Sequence, residues 1–219
     1  MIQQGHTCIA LDLPGHGADH TPLGRVTHAM NVAAIVNELQ RVDHPATVVA
    51  HSLGGISATE AAAIVPDRMQ RIVYVAALVP LNGESMADLP QRDPGDPVSD
   101  LIKRDDAAGI LTFKKEGATQ ALFSECPPDV AADAVNRLEH ESIAATEGAA
   151  QFPGGCFPSS IPRTYVVCVR DRTITAKRQQ QILRRAGCKD VRVIYSDHSP
   201  FLSRPSELAQ ALLSSASGH

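Results

Sequence analysis

Ser52, Asp171 and His198 stand along the chain in the order nucleophile, acid, base, each at a place where chemistry is open to it. Ser52 closes a β-branched run within ATVVAHSLGGISA (46–58), after which the sequence turns into an alanine-rich helix. A strand, then His51-Ser52-Leu53-Gly54-Gly55, then a helix is the arrangement of a nucleophile elbow. Its tight turn holds the serine in a strained conformation and points Oγ out at the C-terminal edge of a sheet. The small neighbours such a turn needs are Ala50 and Gly54, with alanine standing where glycine is usual. The helix that follows starts beside the serine, so its N-terminal dipole favours a developing negative charge there.

A serine nucleophile needs a base, and the base needs a carboxylate to orient it. His198, in YSDHSPFLSRP, lies just past the last expected strand, and Asp171, in VVCVRDRTI, lies at the end of the strand before it. Loops at the C-terminal ends of parallel strands are where an α/β sheet builds its site. Each residue also has a plainer reading: Ser52 as a helix cap, Asp171 as another, His198 as a loop residue. It is their order, with each at a strand end, that favours the catalytic one. Asp197 adjoins His198, but adjacent side chains leaving a strand point to opposite sides, so Asp171 is the better orienter. His16, His51 and Val79 are candidate pocket residues, although a turn role for His16 competes, and Lys114 and Lys115 are read as a solvated face.

The elements that must position these groups are legible as apolar runs. TCIALDL (7–13), ATVVAHS (46–52), RIVYVAALV (71–79), TYVVCVR (164–170) and VRVIYS (191–196) have the length and branching of strands buried on both faces. Helical patterns cover 27–41, 54–65, 176–186 and 205–214. Alternation of this kind predicts an α/β fold around a mostly parallel sheet flanked by helices. No convincing strand stands between Pro80 and Arg163, but the stretch holds LPQRDPGDP, FPGGCFP and a helix over 127–142. An insertion of that size should carry structure of its own. It is read as a helical lid, 81–160, on a core formed by 1–80 and 161–219. Leu101, Ile102, Leu111, Phe113, Leu122 and Phe123 are available there to line an apolar pocket or to pack the lid on the core.

Composition narrows the function further. The 219 residues carry a formal net charge of -4 with acids and bases interspersed, and no basic block tracks a phosphate backbone, so nucleic acid is not an expected partner. Five cysteines (Cys8, Cys126, Cys156, Cys168 and Cys188) without a C-x-x-C pair argue against a disulfide scaffold or zinc site, and no metal is expected. No signal-peptide pattern or membrane-length apolar run is present, which predicts a cytoplasmic protein without a membrane partner.

With these residues placed, the chain resembles the α/β-hydrolase superfamily. Within it, the sequence resembles the group of plant methylesterases, hydroxynitrile lyases and bacterial pyrethroid-type carboxylesterases. The resemblance rests on LDLPGHGAD, VVAHSLGG, RIVYVAALVPLNGES, CPPDVAADAVNRL, VRDRTI and SDHSPFLSRP, nearly the whole chain. It implies a serine esterase acting on a small-molecule ester without a cofactor, with Ser52 as nucleophile, His198 as base and Asp171 as orienter. Hydroxynitrile lyases of the group carry lysine after the catalytic histidine. Ser199 stands there instead, favouring ester hydrolysis.

The resemblance also implies that the chain is N-terminally truncated relative to the family, lacking the first strands and the His-Gly loop that supplies one oxyanion donor. A gap is then expected between 7–13 and 46–52, the backbone N–H of Leu53 can serve as one oxyanion donor while the second has no visible source, and exposed apolar surface beside the gap suggests a homodimer. Two other readings stay open: a binding protein or inactive remnant on the same fold, and a lyase or C–C hydrolase using the same three residues.

Overall fold

The computed structural model describes residues 1–2, 5–90, 98 and 100–216. Most of LPQRDPGDP and the end of the polar tail SSASGH lie outside the described residues. The first helix, α1 (His28–Arg41), starts where Thr27 accepts the Met30 N–H on its side chain at 3.3 Å, so a hydroxyl takes up one of the donors a helix start leaves unpaired. Then come β1 (Ala46–His51), α2 (Gly54–Ile64) and β2 (Met69–Val75). Within the insertion lie β3 (Ile102–Asp105), β4 (Ile110–Phe113), α3 (Ala118–Leu122), α4 (Pro128–Asn136), β5 (Glu141–Ser142) and α5 (Ile143–Glu147). The chain closes with β6 (Arg163–Cys168), α6 (Ala176–Arg185), β7 (Asp190–Ile194), α7 (Pro200–Ser203) and α8 (Pro205–Ala216).

The main sheet has four parallel strands in the order β1-β2-β6-β7. Ile72, Tyr74, Tyr165 and Val167 on one face bury against the alanines of α2 and against Ile182 of α6. On the other face Val73, Val75, Val166, Cys168 and Ile194 pack under Leu208 and Leu212 of α8. The inner strands β2 and β6 meet the expectation of burial on both faces, whereas the outer two do not. Val49 of β1 is 45% exposed, and Val193 of β7 is 56% exposed. An outer strand has a neighbour on one side only, and the helices do not reach its far side chains.

The run 7–13 forms no strand. It pairs with nothing in the sheet, and Ile9 and Leu11 are exposed, so β1 is an edge. An apolar, β-branched sequence becomes a strand only when a neighbour takes its N–H and C=O groups, and no ladder reaches this segment.

The insertion is not purely helical. It contains an antiparallel sheet in the order β3-β4-β5, contrary to the expectation of no strand there. Asp105 accepts the Ala108 N–H at 3.0 Å and Gly109 takes φ 71°, so DDAAG makes a hairpin turn between two four-residue strands. The expected helix over 127–142 stops at Asn136, because Glu141 and Ser142 pair with β4 instead. Leu101, Ala118 and Ala121 give the insertion a small core, with Phe113 and Leu122 packed on it.

Candidate active site

The turn after β1 is built by hydrogen bonds from both sides. The Ser52 N–H donates to Val75 O at 3.2 Å, and the Leu78 N–H donates to Ser52 O at 3.0 Å, which holds the serine between the ends of β1 and β2. Ser52 takes φ 52°, a left-handed conformation that costs a non-glycine residue about 1–3 kcal/mol. The steric requirement falls one residue later than expected. A Cβ on Gly54 would meet nothing within 4 Å, whereas one on Gly55 would lie 2.3 Å from Leu78 O. The close approach of α2 to the loop after β2 is therefore what demands glycine. Tyr165 braces that loop by donating its hydroxyl to Ala77 O at 2.8 Å.

The structure brings the three expected residues together. His198 Nε2 lies 2.9 Å from Ser52 Oγ, and His198 Nδ1 lies 2.8 Å from Asp171 Oδ2. Asp171 and His198 are buried, and Ser52 and His198 border a cavity. The second Asp171 oxygen accepts the backbone N–H groups of Thr173 at 2.7 Å and Ile174 at 2.9 Å, so its carboxylate is fixed by the turn that follows β6. Gln179, missed in the sequence, completes this support. Its side chain accepts from Cys168 N at 3.0 Å and donates to Cys168 O at 3.0 Å, to Ile174 O at 2.6 Å and to Asp171 Oδ2 at 3.4 Å. Its spacing with Ile182 and Leu183 on the buried face of α6 was the one available signal.

Asp197 takes a different part, as its position beside His198 implied. It accepts from the Glu125 N–H at 2.9 Å, the Cys126 thiol at 3.6 Å, the Ser199 N–H at 3.1 Å and the Ser203 hydroxyl at 2.7 Å. Those bonds tie the insertion to the loop that carries His198. Burial, with Asp197 nearby, pushes the Cys126 thiol up to about 11.

Of the candidate pocket residues, none lines the cavity. His51 lies behind the base. It donates from Nε2 to His198 O at 2.7 Å, its ring centroid is 4.6 Å from that of His198, and Phe201 meets it edge-on. Desolvation, with His198 alongside, holds its pKa down to about 3, so it stays neutral. His16 points toward the insertion, with Nε2 3.1 Å from His140 O and Nδ1 3.3 Å from Pro14 O. Val79 is 2% exposed in the main core, and Leu78, one residue earlier and part of the same core, is the one that borders the cavity.

The cavity has a volume of about 120 Å³ and is mostly apolar. Ile102, Leu111, Phe113 and Leu122 line it from the insertion as expected, while Leu101 is buried in the insertion's own core and Phe123 is buried without bordering the cavity. Thr173, Ile174 and Arg178 add lining from the core, and Leu53 places the start of α2 at the same wall. Lys115 faces outward and donates to Asn136 O at 3.4 Å. Among the described residues no group of three or more His, Cys, Asp or Glu side chains is placed to hold a metal ion. Nor, among them, is any helix long and apolar enough to cross a membrane.

A parallel sheet, a strained serine on a strand-to-helix turn, and acid and base on the loops after β6 and β7 define a hydrolase of the α/β class. The chain belongs to the alpha/beta hydrolase family, which it matches over residues 2–211. It is similar to Methylesterase 7 of Arabidopsis thaliana, 28% identical over 225 residues, a match covering 95% of this chain and 85% of that protein. In structure it is similar to a pyrethroid hydrolase from Sphingobium faniae JZ-2, with a TM-score of 0.84 at 24% identity, covering 98% of this chain and 88% of that one. A polyneuridine aldehyde esterase superposes with a TM-score of 0.86 at 20% identity, covering 98% and 90%. The kinship with the plant methylesterase group that the motifs implied is borne out.

Proposed function

We propose that this protein is a serine hydrolase that cleaves small apolar carboxylic esters through an acyl-enzyme. The observation that carries the reading is the unbroken line from Asp171 through His198 to Ser52, ending at an apolar cavity. With Nδ1–H donated to Asp171, the neutral imidazole has its lone pair on Nε2, facing the Ser52 hydroxyl. His198 takes the serine proton as Oγ attacks the ester carbonyl, and Asp171 stabilises the imidazolium that forms. The Leu53 N–H, at the start of α2, meets the developing oxyanion. His198 then returns the proton to the departing alcohol and activates the water that releases the acid. The name of the methylesterase relative agrees with ester hydrolysis.

The cavity's apolar lining and modest volume favour a short or compact acyl group. The test is hydrolysis of a short-chain p-nitrophenyl ester by the wild type, Ser52→Ala and His198→Ala, with folding checked by circular dichroism. Loss of nearly all turnover in both folded variants is expected, and turnover that survives Ser52→Ala refutes the assignment.

A further inference from the structure

A second, smaller cavity of about 50 Å³ has Leu53 in its wall, as the apolar one does. Its walls are Asn31 of α1, Leu53 and Gly54 at the start of α2, Ser57 one turn later, and Glu141. Leu53 and Glu141 border both cavities, so the small one adjoins the place where the oxyanion would form. Asn31 is 8% exposed, and among the described residues its Oδ1 has no hydrogen-bond partner. An unmet buried acceptor of this kind costs about 1–3 kcal/mol and calls for a donor in the space it faces.

The neighbouring side chains do not supply that donor. The Ser57 hydroxyl pairs with His28 Nδ1 at 3.3 Å, and His28 Nε2 lies 2.7 Å from Glu60 Oε2. Glu141 is an acceptor itself, taking the Ser142 N–H at 2.7 Å on one oxygen and standing 3.9 Å from His16 on the other. The cavity has the size for a water molecule, which fills roughly 30 Å³ and needs two to four polar partners. At the start of α2 the Gly55 N–H donates to Ser52 O at 3.2 Å and the Ile56 N–H to Leu53 O at 3.0 Å, which leaves the Gly54 N–H, on the cavity wall, as the donor for such a water's oxygen.

We propose that this cavity holds an ordered water, gripped by the Asn31 side-chain oxygen, whose second O–H donates to the tetrahedral oxyanion beside the Leu53 N–H. A single donor to an oxyanion is worth roughly 100- to 1,000-fold in rate, so a donor added beside the Leu53 N–H has a large effect to give. A water bridging a buried acceptor and the reacting oxygen recovers part of it at little entropic cost, because it is already immobilised. Asn31 is thus a positioning residue, acting through the water rather than on the substrate. The inference rests on the serine hydrolase reading above.

The test compares wild type and Asn31→Leu on a p-nitrophenyl ester and on the matching thionoester, whose sulfur accepts hydrogen bonds poorly. Asn31→Leu is expected to lower kcat on the oxygen ester by about 10- to 100-fold with KM within threefold. The ratio of oxygen-ester to thionoester rates should collapse with it. An equal loss on both substrates marks a merely structural role and overturns the proposal, as does an unchanged kcat in a folded variant. Should Asn31→Leu not fold, a high-resolution crystal structure of the wild type labelled on Ser52 with diethyl p-nitrophenyl phosphate decides. A water within about 3.2 Å of both Asn31 and the phosphoryl oxygen supports the proposal, and a dry cavity or a direct Asn31 contact overturns it. Turnover independent of Ser52 would sink the function and this inference together, whereas Ser52-dependent turnover with an Asn31-insensitive ratio sinks this inference alone.

Discussion

Replacing Asp171 with asparagine changes one atom and should reverse the proton on His198. In the native site one carboxylate oxygen accepts from His198 Nδ1 at 2.8 Å, and the other accepts from Thr173 N at 2.7 Å and Ile174 N at 2.9 Å. An amide has only one oxygen. The two backbone N–H groups, fixed by the turn, claim it, which leaves the amide NH₂ facing His198. Nδ1 must then accept, the proton moves to Nε2, and the nitrogen 2.9 Å from Ser52 Oγ becomes a donor unable to take the serine proton. Tautomer reversal of this kind lowers kcat by about 10⁴-fold, or ~5.5 kcal/mol of barrier.

Asp197→Asn is the matched control, since Asp197 is as buried and adjoins the base in sequence. It touches Glu125, Cys126, Ser199 and Ser203 rather than the imidazole. Turning an NH₂ toward those donors costs about 1–3 kcal/mol of stability, with kcat kept within about tenfold. Ester turnover and denaturant unfolding of both variants give the answer. Equal losses of kcat in the two, or Asp171→Asn retaining more than about a tenth of the rate, would refute the assignment of Asp171 as the orienting group.

Two further predictions concern the framework. His51 has its folded pKa depressed to about 3 from 6.5, so it contributes stability that is fully present above pH 6.5 and is lost as the pH falls toward 3, because the unfolded chain takes a proton the folded one refuses. His51→Gln, which keeps a donor for His198 O, should abolish that loss. Wild type then declines relative to the variant by about 1.4 kcal/mol per pH unit below 6.5 in denaturant melts, and a pH-independent difference would count against it. Gly55→Ala places a Cβ 2.3 Å from Leu78 O, in backbone that cannot yield without disturbing Ser52 O. It should lower Tm by roughly 2–12 °C, while Gly54→Ala, facing open space, leaves Tm nearly unchanged in calorimetry. Equal Tm values for the two would disprove the contact.

The readings that held were local ones. A strand ending in a serine between small residues and running into an alanine helix specifies its turn within a dozen positions, and Ser52 takes the left-handed conformation that sequence calls for. Asp171 and His198 were legible because each follows a strand, and parallel strands end on the same edge of their sheet. The inner strands were legible because burial on both faces makes a short run continuously apolar and branched, and the amphipathic helices because burial of one face imposes a period on the residues.

What the tertiary structure decided were the questions of which neighbour answers which group. The apolar run 7–13 reads as a strand, yet pairing needs a second chain segment at ladder distance, and no periodicity records whether one is there. The hairpin over 102–113 was hidden because its strands are only four residues long, too short for a period to show. Val79 and Leu78 differ by one position and share the main core, but the path of the chain after β2 brings only Leu78 to the cavity wall. Asn31 carries no sequence signal at all: its burial, its unmet oxygen and its nearness to the elbow exist only because α1 packs beside α2. Sequence by itself determined the chemistry available to this protein, because bond-level geometry is set within a few residues. Only the packing of distant segments decided which of those groups meet, since contact across a fold is a property of three-dimensional closure that no local pattern encodes.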